Sequence, residues 1–382
     1  MSRVARACLI SGGLVSLSMI GAWVYRLPAD ERPPVQVASI QAPATTAGLA
    51  LSLAQDEDRD GIVDALEDEL AQTFAPVVYH GTDEVAFPVR VDSWLLRTRL
   101  SAYDDTDADR TRVIAEGPLD QKALLAAGEG TRARSRMKRR SYFLEDVASE
   151  SRAGERQPAD WVTYVHSYRN GRGGVTLQYW RAYTWNAATA AGLDFSHGGD
   201  WEAVSVHLDA ALRPSFVSYL QHAGIAYYRA GVRWEGTHPV VYSEEGSHAS
   251  APDRRTVASH DLIRQETWTG GQTTWPSGDG GPSGGLLNVG EKSSPRNGQQ
   301  FIQYAGLWGS PGALFLTSGY WGPAFNETGA RCDNGGPAYR FLPGYAAARR
   351  SCGRIFVTAW CDEMAATPLD PARECYPAVE TR

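Results

Sequence analysis

The stretch W-V-T-Y-V-H-S-Y, R-N-G-R-G-G, V-T-L-Q-Y-W-R-A-Y-T-W, from Trp161 to Trp185, limits the fold more than any other part of the chain. Two runs rich in β-branched and aromatic residues flank an Asn-Gly turn, the pattern of an antiparallel hairpin. Shorter strand candidates follow at Trp201–Leu208, Ser215–Gln221, Pro239–Tyr242, Phe301–Tyr304 and Arg354–Trp360, each bounded by turn residues. The expected fold is therefore all-β with minor helix, an antiparallel β-sandwich preceded by an acidic loop and a short helix. The glycine, serine and proline-rich segment from Thr269 to Gln300 reads as a structureless insertion, mobile or functional.

Four regions are expected. Residues 1–26 carry Arg3 and Arg6, an apolar run from Ala7 to Tyr25 and a closing Arg26, as in a signal peptide or an uncleaved signal anchor. Residues 27–50, rich in proline, alanine and threonine, form a flexible linker. Residues 51–73 hold the acidic loop and helix, and 74–382 the sandwich with a cysteine-bearing C-terminal segment. The leader implies an extracytoplasmic body, secreted or held at the membrane through the N-terminal segment. Cysteine usage agrees, because Cys8 lies in the leader and Cys332, Cys352, Cys361 and Cys375 leave an even set for two disulfides. Their spacings contain no C-x-x-C knuckle, which disfavours zinc. The net charge of -7 argues against nucleic acid as a partner, and the basic run from Arg132 to Arg140 reads as a solvated segment rather than an anionic-surface contact.

Two constellations carry chemistry. In D-E-D-R-D-G-I-V-D-A-L-E, from Asp56 to Glu67, the acids and the glycine fall where a calcium loop needs them. Asp56, Asp58, Asp60, Asp64 and Glu67 offer side-chain oxygens, Ile62 its carbonyl, and Gly61 the sharp turn. A helix is expected to begin at Glu67. The loop resembles those of EF-hands, dockerins and thrombospondin type 3 repeats, and the missing entering helix favours the last two and a structural Ca2+. The competing reading is an acidic, solvated helix start.

The second constellation is S-H-G-G-D-W-E-A-V-S-V-H-L-D, Ser196 to Asp209. Alternation puts Asp200 and Glu202 at the head of the face continued by Val204, Val206 and Leu208, at the mouth of the sandwich, with Trp201 packed on the other face and His207 at the surface. Carboxylates there need a cation, a basic partner or many hydrogen bonds. His222, His238 and His248 fall near strand ends, whereas His166 and His260 suggest no role.

The motifs F-A-P-V-V-Y (Phe74 to Tyr79), P-V-R-V-D (Pro88 to Asp92), G-D-W-E, Q-H, H-P-V-V-Y, G-S-H-A and W-G-P (Trp321 to Pro323) together resemble the vacuolar protein sorting-associated protein 62-like family. S-H-G-G-D-W-E more distantly resembles the G-H-R-H-D-W-E heptad of necrosis-inducing, NEP-like cytolysins, β-sandwiches with a divalent-cation site facing the membrane. That resemblance implies His197, Asp200 and Glu202 as ligands of a second divalent ion, Ca2+ or Mg2+, with Asp194 as a fourth, while Gly199 stands where the heptad has its second histidine. The leading functional expectation is an exported, calcium-containing module, toxin-like in character, that binds a surface glycan or lipid headgroup. The competing class is a metal-dependent hydrolase of an ester, phosphodiester or glycan, with Glu202 or His248 as general base and His222 stabilising developing charge. A structural envelope protein is the third, and in every reading a salt-bridge network built on Arg181 is the alternative to a second ion.

Overall fold

The computed structural model describes residues 55–103, 110–126, 142–146, 152–169, 173–187, 189–190, 193–221, 224–228, 232–252, 271–274, 285–291, 294–304 and 306–312. The leader, the linker, Cys332, Cys352, Cys361, Cys375, His222, His260, the basic run and the strand expected at Arg354–Trp360 lie outside them. No helix among the described residues is long and apolar enough to cross a membrane.

Along the chain, helix α1 (Asp64–Thr73) leads into β1 (Val77–Gly81), and α2 (Val91–Leu95) into β2 (Thr98–Tyr103) and β3 (Thr111–Ala115). Next come α3 (Gln121–Ala126), β4 (Tyr142–Asp146), the hairpin strands β5 (Thr163–Arg169) and β6 (Val175–Asn186), and the short pair β7 (Thr189–Ala190) and β8 (Leu193–Asp194). Strands β9 (His197–Leu208), β10 (Pro214–Gln221), β11 (Gly224–Tyr228), β12 (Trp234–Glu235), β13 (His238–Ser243) and β14 (Ser250–Ala251) follow. The last are β15 (Gly271–Thr274), β16 (Leu286–Asn288), β17 (Gly290–Glu291) and β18 (Ser294–Pro295).

The all-β fold with minor helix holds. One sheet runs β11-β10-β9-β6-β5-β16; the other runs β12-β13-β1-β15, with β14 on β13. Most pairings are antiparallel, as the hairpin requires, with Tyr164 opposite Trp180 and Arg169 opposite Val175. Two are parallel: β1 on β13 and β16 on β5. Both join segments remote in sequence, so no local turn pattern marks them. The parallel pair sets F-A-P-V-V-Y beside H-P-V-V-Y, Val77 opposite Val240 and Tyr79 opposite Tyr242.

The larger sheet is buried on both faces. Val204, Val206 and Leu208 of β9, with Leu177 and Tyr179 of β6, meet Val78 and Val241 of the smaller sheet and Leu70, Ala71 and Phe74 of α1 and its end. On the opposite face Trp201, Ala203, Trp180 and Ala182 pack with Trp94 and Leu95 of α2, Leu144 of β4, Phe301 and Trp308. Trp201 thus packs as alternation implies. Burial of both faces explains why polar residues of this sheet are not at the surface. His207, expected there, is fully buried; its Nδ1 lies 3.0 Å from Thr176 Oγ1 and its ring stacks on Phe216. His166 is likewise buried, between Gln178 and Glu291, with its Nε2 3.1 Å from Glu291 Oε1.

Two further expectations change. Phe301–Tyr304 is not a strand: Gln300–Gln303 forms a 3-10 turn whose Phe301 and Ile302 plug the second core. The glycine-rich segment is not structureless, since β15 to β18 lie in it.

Candidate cation site and buried charge network

The acidic loop folds around its own backbone. Asp56 accepts hydrogen bonds from Arg59 N at 2.7 Å and Gly61 N at 3.0 Å, and Asp60 accepts from Ile62 N at 2.6 Å. Gly61 takes φ +87°, a conformation that L side chains resist. Ile62 drops into the core between the sheets and anchors the loop. The helix begins at Asp64 rather than Glu67, which places both acids in its first turn, where the helix dipole favours negative charge. Asp64 also accepts from Glu57 N at 3.1 Å, closing the loop on itself.

This folding gathers carboxylate oxygens faster than it supplies partners for them. Asp58, Asp60 and Glu67 each bring an oxygen to within 4.8 Å of the others, as do Asp56, Asp58 and Asp64. Asp58 Oδ2, Asp60 Oδ2 and Glu67 Oε1 are buried without a hydrogen-bond partner. Burial pushes the Glu67 carboxyl up to about 9, with repulsion from Asp58 and Asp60 adding to it. Burial and then Asp60 push Asp58 to about 7; burial, and further down Asp56, push Asp60 to about 6. Unpaired charge of one sign in an enclosed space is what a divalent cation neutralises, and an all-oxygen donor set suits Ca2+ or Mg2+. The residues present fit such an ion.

The second expected site is built differently. Asp200 and Glu202 do not stand at a mouth: they are 1 % and 4 % exposed, on the face that continues into Val204 and Val206. Asp200 Oδ2 lies 3.1 Å from His248 Nδ1 and accepts from Asn186 Nδ2 at 3.0 Å, while its Oδ1 accepts from Trp201 N. The other ring nitrogen of His248 faces Glu84 Oε1 at 3.5 Å. Glu84 in turn accepts from the backbone of Val85 and Ala86, and from Gly246 N at 2.9 Å. His248 is held at φ +59°, stacked on Tyr183 with ring centres 3.8 Å apart.

Burial disfavours charge on His248, but Glu84 and then Asp200 outweigh it and raise the imidazole to about 9. Although burial opposes it, contact with His248 holds Asp200 below its ordinary value and Glu84 down to about 2. At neutral pH an imidazolium therefore sits between two carboxylates. Glu202 stands opposite Arg181 across β6 and β9; burial, with Asp200 second, pushes its carboxyl well up. Arg181 also donates to Ser250 Oγ at 3.0 Å. His80, fully buried beside Trp161 and Tyr183, is pushed down to about 3 by burial and by Arg181, and stays neutral.

Of the ligands the heptad implies, His197 lies near enough to Asp200 to help hold its carboxyl down. Asp200 and Glu202 lie in this network, joined by His248. The Asp194 carboxylate is exposed and accepts from Ser196 N at 2.8 Å. His197 Nδ1 lies 3.3 Å from Gly198 O. Among the described residues, the groups able to hold a metal both fall in the Asp56–Glu67 loop, and Asp194, His197, Asp200 and Glu202 form none. His238, at the start of β13, has its Nδ1 2.8 Å from Ala75 O and does not join His248. Gly199 has a structural reason: at φ +71°, a Cβ there would collide with the carbonyl of Trp308. Glu84 and His80 were invisible in sequence, being single polar residues outside any motif, and Arg296, whose Nη1 lies 2.9 Å from Glu67 Oε2, was hidden in the glycine-rich segment.

No protein-family model matches the chain, and no curated protein does. The likeness to the vacuolar protein sorting-associated protein 62-like family rests on the quoted motifs. Solved structures of toxin-fold proteins overlap it in part. NLPPya in complex with glucosamine is 14% identical, with 64% of this chain and 80% of that one covered at a TM-score of 0.31. Necrosis and ethylene inducing protein 2 from the causal agent of cocoa's witches' broom disease is 15% identical, with 57% and 72% covered at a TM-score of 0.28. At these scores nothing about ligand or activity is transferred.

Proposed function

We propose that this protein is an exported β-sandwich that carries a structural divalent cation, Ca2+ foremost, in the Asp56–Glu67 loop and binds a surface glycan or lipid headgroup. The cation reading is carried by one observation: three acids of the loop converge, and each keeps a buried oxygen without a hydrogen-bond partner. The export reading is supported by the leader. The binding reading is supported by a charged patch on the smaller sheet, where exposed Arg233 and partly exposed Glu235 lie beside half-buried Tyr79, itself stacked at 5.5 Å on the buried Tyr242. Charged hydrogen-bonding groups at the rim of a half-buried tyrosine suit the hydroxyls of a sugar or a headgroup. A hydrolase draws less support, because Glu202 and His248 are closed off from solvent and a general base must reach its substrate.

Calorimetry of the body with CaCl2, followed by binding to a glycan array and to anionic vesicles with and without chelator, tests this reading. The expected result is uptake of one ion by the loop and retention on one of the two surfaces, lost in Tyr79→Ala. A stoichiometry of two ions, with the second lost in Asp200→Asn but kept in Asp56→Asn, would support a second divalent ion at Asp200; the reverse would put both ions in the loop. Absence of any ion uptake refutes the cation reading, and absence of retention on either surface refutes the binding reading.

A further inference from the structure

Arg296, between β18 and the 3-10 turn, lies more than two hundred residues from the acidic loop in sequence and against its carboxylates in space. Its Nη1 lies 2.9 Å from Glu67 Oε2, its Nη2 3.2 Å from Asp68 Oδ2, and its Nε 3.6 Å from Asp64 Oδ1. Its backbone N donates to Val289 O at 2.9 Å and its side chain is 8 % exposed. Glu67 occupies the last position of the loop, where a calcium site ordinarily takes both carboxylate oxygens. Here Oε2 is engaged by the guanidinium and only Oε1 is left without a partner.

Resting on the reading of this loop as a cation site, we propose that Arg296 is a specificity-determining residue, restricting Glu67 to one coordinating oxygen so that the site accepts Mg2+ as well as Ca2+. The chemistry is that of coordination number. Ca2+ takes six to eight oxygens and gains from a bidentate carboxylate, whereas Mg2+ is confined to an octahedron and keeps several waters. A shell with one protein oxygen fewer removes an advantage that only Ca2+ enjoys. Arg296 is poorly placed to yield, because leaving Glu67 would strip a buried cation of its shortest contact while Asp68 and Val289 hold it in place.

The test measures Ca2+ and Mg2+ affinities by calorimetry on the wild-type body and on Arg296→Gln and Arg296→Lys. Loss of a positive charge strengthens both ions, so the ratio of affinities, not either value, is the readout. The expected wild-type preference for Ca2+ is within about tenfold, and Arg296→Gln should widen it by about tenfold or more as Oε2 becomes available. A wider wild-type preference, or a ratio unchanged in Arg296→Gln, overturns the proposal. If Arg296→Gln does not fold, the wild-type ratio and Arg296→Lys, which retains charge but lacks the planar fork, decide by the same criteria. Uptake of neither ion by the wild type is a separate outcome: it removes the cation site itself.

Discussion

The Asp56–Glu67 loop and the network around His248 both place several carboxylates inside the protein, yet they resolve the problem in opposite ways. In the network the chain supplies a cation, His248, between Glu84 and Asp200, while Glu202, opposite Arg181 in register, keeps a single orphaned oxygen, Oε2. In the loop Arg296 reaches one oxygen of Glu67, and the oxygens of Asp58, Asp60 and Glu67 that face one another are left over. Counter-charge from the protein makes a closed structural element. Three converging orphaned oxygens are the counter-charge deficit that the proposed ion would fill.

The comparison breaks most severely if His248 proves dispensable. His248→Leu should destabilise the protein by about 3–5 kcal/mol, because it leaves two buried carboxylates facing each other. Urea denaturation measures this, and the loss should be the same with calcium or with chelator. Next in size is the effect of the ion on the loop. Calcium at a hundredfold excess over its dissociation constant should stabilise the wild type by about 2.7 kcal/mol and leave an Asp58→Asn, Glu67→Gln double variant unmoved. Equal stabilisation of the two proteins would show that calcium binds elsewhere.

A pH series sharpens the same contrast. The folded pKa of His248, about 9, exceeds its ordinary 6.5, so the stability it contributes is complete below pH 6.5 and is lost as pH rises to 9. Glu202, also raised, acts in the same direction, as Glu67 and Asp58 would without an ion, so the series is run with saturating calcium to keep the loop acids ionised. The wild type should lose on the order of 2 kcal/mol across that window, and His248→Gln markedly less. A flat wild-type profile would mean that His248 is neutral when folded. The smallest effect belongs to Asp194, which sits in neither region: Asp194→Ala should change stability by less than about 0.5 kcal/mol and leave ion uptake intact. Lost uptake would return Asp194 to the ligands that the heptad resemblance implies.

Much of this contrast was half legible. The loop could be read almost whole, because its donors lie within one turn and one helix start, and spacing alone brings them together. The pairing of Asp200 with Glu202 on the face of Val204 and Val206 was equally plain from alternation. Of their partners, Arg181 was named and stands opposite Glu202, but Glu84 and the link through His248 were not foreseen. Glu84 and His248 come from loops beyond β1 and β13, and the parallel pairing that aligns those strands has no hairpin to announce it. His207 was misjudged because a sheet covered on both faces hides polar residues that alternation assigns to solvent.

The chain's local order therefore determined what local forces control: strand and hairpin periodicity, the glycine turn, and the crowding of acids between Asp56 and Glu67. Only the tertiary structure decided which carboxylates receive a protein counter-ion. That depends on the register between strands remote in sequence and on single residues, His248 and Arg296, delivered by loops whose own sequences carry no periodic signal. Electrostatic compensation is a matter of a few ångströms in space, and the separation of Arg296 from Glu67 along the chain gives no measure of it.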